Sequence, residues 1–407
     1  MARKHTVEES WKLWDEANAY IPMATQTHSK APRAALRGVE PCFVTRGQGC
    51  RVWDLDGNEY IDFRNALGPI SLGYRYPAVE DAIRRQLENG IIFGYATPLE
   101  VEVARHLVEI IPCAQSVRFL KTGGEAMAAA IKLARAFTGR ELVLKCGYHG
   151  WLQTMTTPGM PEGAAASYRD LPWGDIRPYE EAFAREGDRI AAVTVACAYA
   201  DIEQGHAFYP ALRELTEKHG ALLIFDEIVM GFRLSVAGAQ GYFGVTPDLA
   251  VFAKGISNGM PLSCYLGRRD VMETVRQAVV SSTFGGDTLS LAAAKAAIEV
   301  YRSEDVIGHL WARGKQLHEG MRSLFNKYGV PATVRGLPPC GQLVFTTGDP
   351  ARNAELMLRF EGEILKRGVM IYSVMYPNYS HTEADIDEAL GKMREALLVM
   401  RDEGLFG

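Results

Sequence analysis

Two residues that directly follow apolar segments could support the chemistry of a reactive amine. Lys254 comes after LAVFA, and a lysine amine at a dry strand end can have its pKa lowered until it serves as a nucleophile. Asp226 comes after ALLIF, where a carboxylate is costly to bury unless a cation or a protonated ligand atom pairs with it. Each has a simpler alternative: Lys254 could extend its ammonium to solvent, and Asp226 could cap a helix or form a surface salt bridge.

Two glycine-containing segments could contact a phosphate and a flat ring. Thr122, Gly123 and Gly124 lie between an apolar run and a helical pattern, and backbone N–H groups at such a helix start can bind an anion. Tyr148, within GYHG, could stack on a planar cofactor. Taken alone, the first segment is more typical of a tight turn, and the second of a surface loop whose aromatic residues pack on the core.

The four features together match the needs of one cofactor. Pyridoxal 5'-phosphate (PLP) requires a phosphate site, a stacking aromatic ring, a carboxylate for its ring nitrogen and a lysine that forms a Schiff base. These residues occur in that order along the chain, each after a different predicted strand. Since ligands of open parallel α/β sheets bind at the carboxyl ends of the strands, the sequence predicts a PLP site.

An α/β pattern in the middle of the chain must position these residues. Strands are predicted at 116–121, 142–145, 191–197, 221–226, 249–254 and 262–267. Helices are predicted at 125–138, 178–185, 208–219 and 289–302. The runs 221–225 and 249–253 are continuously apolar, which is typical of strands covered on both faces in a mainly parallel sheet.

The chain is expected to divide into three regions. They are an N-terminal arm and small-domain segment at 1–63, a large PLP-binding domain at 64–302 and a smaller α+β domain at 303–407. The first region contains a predicted β-hairpin at 50–63 that turns at Asp56-Gly57. The last region contains predicted helices near 305–327 and at 383–402, with short strands between them.

Composition and charge exclude several classes of protein. The chain has 407 residues, of which 47% are hydrophobic and 23% charged, as is ordinary for a globular protein. A net charge of −5 argues against dedicated nucleic-acid binding, and the apolar runs are too short for a membrane span. The first 20 residues have no apolar core of the signal-peptide type. Seven scattered cysteines without a CxxC pair argue against a metal cluster or a disulfide framework. We therefore expect a cytoplasmic enzyme that uses no metal and contacts neither nucleic acid nor membrane.

The sequence resembles the class III pyridoxal-phosphate-dependent aminotransferases, and most closely their glutamate-1-semialdehyde aminomutase branch. The matching stretches are VWDLDGNEYIDF (52–63), KTGGEAMAAAIKLARAFTGR (121–140), GYHG (147–150), LLIFDEIVMGFR (222–233), PDLAVFAKGISNGMPLSCYLGRRDVM (247–272) and TFGGDTLSLAAAKAA (283–297). The resemblance implies an α/β protein of PLP fold type I, the aspartate aminotransferase-like fold, with a mainly parallel seven-stranded sheet in the large domain. It also implies an obligate homodimer whose active sites lie at the subunit interface.

The resemblance implies roles for individual residues. Lys254 would be the internal-aldimine lysine, Asp226 would pair with the pyridine nitrogen and Tyr148 would stack on the ring. Gly123 and Gly124 would hold the phosphate from their own subunit.

Two more residues receive roles in the same way. Thr283, in the TFGG run, would reach the phosphate of the neighbouring subunit. Arg33, in KAPRAAL, lies near the position of an arginine that binds the substrate carboxylate in the aminomutase branch, after a one-residue shift of the alignment. The alternative for Arg33 is an ordinary surface arginine.

Three departures from the family pattern bear on function. Gly124 stands where the family usually has Ser or Thr, so one side-chain contact to the phosphate is missing. Val195-Ala196-Cys197 stands where the family often has Glu-Pro, which removes a usual polar contact near the cofactor. The segment 152–174 is shorter than the gating loop that retains the diamine intermediate in the aminomutases, and this favours amino transfer between separate molecules.

The predicted function is an aminotransferase that moves an amino group between an amine or amino acid donor and a keto or aldehyde acceptor. Lys254 would form the Schiff base and then act as general base and general acid. One alternative is glutamate-1-semialdehyde 2,1-aminomutase, which needs no separate donor. Others are a non-catalytic binding protein of the same fold, against which the intact Lys254 and Asp226 argue, and a PLP-dependent decarboxylase or racemase.

Overall fold

The computed structural model describes residues 5–152 and 157–406, which form two compact units. The central unit comprises Pro69–Ser71 and Pro77–Ile307, and the terminal unit comprises the remaining described residues. None of the described helices is long and apolar enough to cross a membrane. The domain bounds predicted from the sequence stay predictions.

Strands and helices alternate through the central part of the chain, as the sequence predicts. The described strands are β1 (Val44–Gln48), β2 (Arg51–Asp54), β3 (Glu59–Asp62), β4 (Ser116–Leu120), β5 (Leu142–Cys146), β6 (Tyr168–Asp170), β7 (Ile190–Val195), β8 (Leu222–Asp226), β9 (Leu249–Phe252), β10 (Ser263–Gly267), β11 (Ala332–Arg335), β12 (Gly341–Phe345), β13 (Val369–Met370) and β14 (Val374–Met375). The described helices are α1 (Glu8–Ala17), α2 (Pro77–Leu87), α3 (Pro98–Ile110), α4 (Gly123–Thr138), α5 (Glu162–Ala165), α6 (Arg177–Glu186), α7 (Gly205–His219), α8 (Ala239–Phe243), α9 (Arg269–Glu273), α10 (Val275–Ala278), α11 (Thr288–Ser303), α12 (Val306–Tyr328), α13 (Pro350–Leu365) and α14 (Glu383–Asp402).

The central unit is built on a seven-stranded sheet, which confirms the predicted fold class. Its strand order is β4-β10-β9-β8-β7-β5-β6. β10 runs antiparallel to both of its neighbours, and the other pairs are parallel. Every residue of β8 and β9 is buried, as expected for continuously apolar strands. β6 was not predicted, because its three residues are too short to show a pattern.

The sheet topology brings the predicted site residues to one edge. β4, β5, β8 and β9 all point in the same direction, since β4 and β9 are each antiparallel to the β10 strand between them. Asp226 is the last residue of β8, and Lys254 follows β9 by two residues. The glycine segments follow β4 and β5. The carboxyl ends of β4, β5, β8 and β9 therefore lie at the same edge of the sheet.

The terminal unit combines two small sheets with three long helices. The sheets have the orders β1-β2-β3-β13 and β11-β12-β14. β2 and β3 form the predicted hairpin, with Val52 opposite Tyr60. The predicted helices α12 and α14 are present, but α13 was missed. Its signals were a capping Asp349 with Pro350 at the first turn, and an apolar face on which Phe360 and Ile364 are buried.

Candidate active site

Lys254 stands in a strained and largely buried position. It begins a short 3-10 turn, Lys254–Ser257, with φ of +50°, a left-handed conformation that side chains other than glycine rarely adopt. Such strain concentrates at functional sites. Burial lowers the pKa of the Lys254 amine to about 8, and Asp226 partly opposes this shift while Arg233 adds to it. The amine is thus much easier to deprotonate than an ordinary lysine amine.

Asp226 is held at the end of β8 by two hydrogen bonds. Its Oδ2 lies 2.8 Å from His149 Nδ1, and its Oδ1 accepts the Ile228 N–H at 3.1 Å. Since a carboxylate only accepts, Nδ1 of His149 must carry the hydrogen. The side chain of His149 is fully buried, and among the described residues its Nε2 has no hydrogen-bond partner. Asp226 is therefore fixed in orientation at a buried position.

His149 was not predicted as a site residue. Its signal in the sequence was its place in GYHG, beside the Tyr148 that was singled out. The contact to Asp226 joins residues far apart in the sequence, so it depends on the packing of β5 and β8 at the same sheet edge.

The neighbouring carboxylate, Glu227, has a different task. Both of its oxygens accept backbone N–H groups at the start of α8, from Ala239 at 2.7 Å and Gln240 at 3.0 Å. Burial raises the pKa of Glu227 to about 7. Of the two adjacent acids, Glu227 caps a helix, whereas Asp226 lies close enough to Lys254 for its charge to affect the pKa of the amine.

The segment Thr122–Gly124 forms the first turn of α4. Thr122 caps the helix by accepting the Glu125 N–H at 3.3 Å, and the first N–H groups of any helix lack partners within it. A Cβ at Gly123 would lie 2.5 Å from Ile228 Cδ1. A Cβ at Gly150 would lie 2.5 Å from Gly124 Cα. The two glycine segments thus pack closely against each other. They also lie next to Ile228, whose N–H donates to Asp226.

Tyr148 and Thr283 are exposed. The Tyr148 side chain is 68% exposed, directly beside the buried His149. Thr283 lies in a turn before α11, also on the surface of the central unit. Both stand where a ligand or a second chain could reach them.

Arg33 lies in the terminal unit and already has carboxylate partners. Its Nε and Nη2 donate to Glu40, both at 3.1 Å, and its Nη1 donates to Glu361. Both glutamates are buried, whereas Arg33 is about one-third exposed. A substrate carboxylate would have to compete with them, and the predicted role of Arg33 stays a prediction.

Comparisons with known proteins place the chain in a family. A family model named Aminotransferase class-III matches residues 34–397. Glutamate-1-semialdehyde 2,1-aminomutase of Persephonella marina is 34% identical over 423 residues, covering 96% of this chain and 98% of that protein. The FumI protein of Sphingopyxis sp. MTA144, solved in its PLP internal aldimine form, has a TM-score of 0.90 at 27% identity, covering 97% of each chain. An omega-transaminase from Sphaerobacter thermophilus has a TM-score of 0.88 at 26% identity, covering 96% of this chain and 98% of that one.

The chain belongs to the class III aminotransferases, a family of enzymes that depend on PLP. The resemblance, the enzyme class and the cofactor predicted from the sequence are thereby confirmed. The residues at the sheet edge fit this cofactor. They include a buried amine of lowered pKa, a fixed carboxylate, a buried imidazole nitrogen that has no partner within the described part of the chain, and a helix start at which a Cβ at Gly123 would collide with Ile228.

Proposed function

We propose that this chain transfers an amino group from an amine or amino acid donor to a separate keto or aldehyde acceptor. One observation carries the proposal: at a single edge of the sheet, burial lowers the pKa of the Lys254 amine to about 8, and Asp226, whose charge partly opposes that shift, is anchored by His149. The amine of Lys254 supplies a proton carrier, and Asp226 supplies a fixed negative charge. Amino-group transfer needs both.

Lys254 is proposed to bind the cofactor and, once released from it, to move protons. When bound, PLP supplies an electron sink for the carbanion that forms at the amine-bearing carbon of the donor. Lys254 Nζ takes the proton from that carbon as a general base and returns a proton as a general acid. A pKa of about 8 suits both roles, because both protonation states are then populated at neutral to mildly alkaline pH.

Asp226 is proposed to hold a proton on the pyridine nitrogen. Its carboxylate is the charged group at the end of β8, and the hydrogen bonds from His149 and Ile228 orient it. A carboxylate that is already oriented needs no rearrangement when charge develops on the ring.

The phosphate and ring contacts are proposed for the glycine segments. Backbone N–H groups of Gly123 and Gly124, after Thr122, would bind the phosphate at the start of α4, where the helix dipole also favours an anion. Thr283 would reach the phosphate of a neighbouring copy of the chain. The exposed ring of Tyr148 would stack on the cofactor.

A second candidate function is the intramolecular reaction of glutamate-1-semialdehyde 2,1-aminomutase. The relative from Persephonella marina carries that name at 34% identity. The short 152–174 segment supports transfer between separate molecules instead, as does the likeness to a protein named an omega-transaminase. Residues 153–156 of this segment lie outside the described part of the chain.

Tracing the nitrogen distinguishes the two reactions. An amine or amino acid with isotopically labelled nitrogen is supplied together with keto and aldehyde acceptors, and the masses of the products are measured by mass spectrometry. We expect labelled nitrogen on the acceptor carbon, and no product when the donor is omitted. Isomerisation of glutamate-1-semialdehyde at a comparable rate without any donor would contradict the proposal.

A homodimer with shared active sites is also proposed. Ile91, Phe93, Tyr95 and Phe284 are between 46% and 92% exposed, which is unusual for large apolar side chains. The Thr288 N–H donates to Ile91 O at 2.8 Å, so this apolar loop lies against the start of α11, close to the turn of Thr283.

Light scattering should give twice the 44.9 kDa mass of one chain. A Phe93→Glu chain should be monomeric and lose cofactor, and a fully monomeric wild-type enzyme with PLP bound would contradict shared sites.

A cytoplasmic location stays a proposal as well. All seven cysteines are free thiols and six of them are buried, which suits a reducing compartment. Cell fractionation of the source organism tests it, and recovery of the protein outside the cytoplasm would contradict it.

A further inference from the structure

An ion pair between Lys121 and Asp287 links two loops of the central unit. Lys121 directly precedes Thr122 and the first turn of α4, and Asp287 caps α11 directly after the 283–286 turn. The Lys121 ammonium also donates to Pro261 O at 3.1 Å. Both side chains are largely buried, with 18% and 12% of their surfaces exposed. The pair is therefore shielded from solvent and far less screened than a surface salt bridge.

Other contacts hold the same segments together. A Cβ at Gly285 would lie 2.6 Å from Phe119 O, so the 283–286 turn packs directly on the end of β4. Ser290 Oγ donates to Pro261 O at 3.1 Å. Ser263 Oγ donates to Thr122 O at 2.9 Å. The ion pair thus lies within a packed junction of three chain segments.

The charge of Asp287 is maintained by this junction. Burial alone would raise the pKa of Asp287, but hydrogen bonds from Lys121 and from Ser290 lower it below its ordinary value. Asp287 Oδ1 accepts the Ser290 N–H at 3.1 Å, which makes the same carboxylate a helix cap and an ion-pair partner. The Lys121 N–H in turn donates to Glu125 Oε2 at 3.0 Å, which joins the lysine to α4.

We propose that Lys121 and Asp287 are positioning residues for the cofactor phosphate, because they fix the 283–286 turn relative to the 122–124 turn. The proposal rests on the proposed function, in which Gly123 and Gly124 bind the phosphate of their own chain and Thr283 reaches that of a neighbouring chain. One ion pair then aligns the phosphate contacts of two different sites. Neither residue needs to touch the cofactor.

Two possible roles of the Lys121–Asp287 pair, positioning the two turns or acting only through charge, predict opposite effects for one variant. Asp287→Asn retains a side-chain oxygen that can cap α11, but it leaves the Lys121 cation unpaired beside the phosphate segment. If the pair acted only through its charge, the freed cation would strengthen phosphate binding. If the pair positions the turns, binding weakens.

The test compares PLP with pyridoxal, which lacks the phosphate. Each is titrated into cofactor-free wild type, Lys121→Gln, Asp287→Asn and the double variant, and the absorbance of the lysine-bound cofactor is followed. Lys295→Gln is the control for loss of a lysine ion pair in the same unit, because Lys295 pairs with Glu102 between α11 and α3, although that pair is more exposed. Thermal unfolding shows whether each variant is folded.

We expect PLP to bind roughly tenfold more weakly to Lys121→Gln and Asp287→Asn, a loss usual for residues that orient ligand-binding groups. The affinity for pyridoxal should stay within about twofold, and the double variant should lose less than the sum of the single losses, since the two residues act as a unit. Lys295→Gln should bind both compounds like wild type.

The proposal would be overturned by PLP binding to Asp287→Asn that is unchanged or tighter, by an equal loss of pyridoxal affinity, or by an equal loss of PLP affinity in Lys295→Gln. Wild type that binds pyridoxal and PLP with equal affinity would also overturn it, because no phosphate contact would then exist to be positioned. Wild type that forms the absorbance band with neither compound would instead contradict the proposed function, and this inference with it.

Discussion

Two groups of charged residues in this protein are organised in opposite ways. In the central unit, Lys254 and Asp226 stand at neighbouring strand ends, and His149 Nε2 beside them has no partner among the described residues. In the terminal unit, Arg33 is bonded to both Glu40 and Glu361. The first group therefore has a polar atom available to bind a ligand, and its lysine has a strained backbone. In the second group, the arginine already donates its hydrogen bonds to residues of the same unit.

The difference shows how a ligand site can be separated from a structural ion network. Buried charges that satisfy one another define a packing arrangement, and removal of one partner mainly costs stability. Buried charges with a shifted pKa and an unpartnered neighbour are prepared for a molecule that arrives later. We therefore expect substitutions in the central group to affect turnover, and substitutions in the terminal group to affect the free energy of unfolding.

The largest effect is expected for Lys254→Ala. It removes both the covalent attachment point and the proton carrier, so turnover should fall by at least about 10⁴-fold, the upper range for a single acid–base group. Transaminase assays and the absorbance of the lysine-bound cofactor measure the loss. Lys295→Ala, which removes an ion-paired lysine of the same unit, should retain turnover within a few fold. Full activity in Lys254→Ala would contradict the expectation that the central group of charges carries turnover.

A smaller loss is expected for Asp226→Asn. The amide can still accept the His149 hydrogen bond, but it has no charge to keep the ring nitrogen protonated, so kcat should fall about 10²- to 10³-fold. Glu227→Gln is the matched control, since that carboxylate caps α8 and should affect stability more than kcat. Equal kcat losses in the two variants would mean that the charge at Asp226 has no special role.

Arg33→Met tests the terminal group. It leaves Glu40 and Glu361 buried without their cation, which should lower the free energy of unfolding by about 2 kcal/mol, less than for a fully buried pair because Arg33 is partly exposed. Urea unfolding measures this. The same variant tests the carboxylate-binding role: a raised KM for acidic donors, with neutral amines unaffected, would support that role. Unchanged stability together with a raised KM would mean that Arg33 binds a ligand and does not mainly stabilise the fold, contrary to the difference drawn between the two groups.

The smallest effect is a pH dependence. The Lys254 pKa is lowered from 10.5 to about 8 in the folded chain, so between these values the unfolded chain binds more protons and folding stability rises with pH. The rate at which the cofactor-free chain captures PLP should increase with pH and level off above about pH 8. Stopped-flow absorbance measures this rate. An increase that continues to about pH 10.5 would show an ordinary, solvated lysine.

Sequence patterns predicted the central sheet, and the positions of Asp226 and Lys254 at its strand ends, better than the terminal unit. Asp226 and Lys254 could be located because wholly apolar strands lead into them, and such strands are visible without any tertiary information. The contact of His149 with Asp226 could not be predicted, since it depends on β5 and β8 ending at the same edge of the sheet, on either side of β7. The same holds for Arg33, whose partner Glu361 lies on the unpredicted helix α13. The role of Thr283 depends on a second chain, which no pattern within one chain describes.

The most direct test of the central claim is the visible absorption spectrum of the purified protein, recorded before and after addition of L-glutamate without an acceptor. We expect a yellow band from cofactor bound to Lys254, which bleaches to the spectrum of the pyridoxamine form as the amino group is taken up. If the band persists with glutamate, other amino acids and simple amines are tried in the same way. No band after addition of PLP, or a band that no amine changes, would contradict the account.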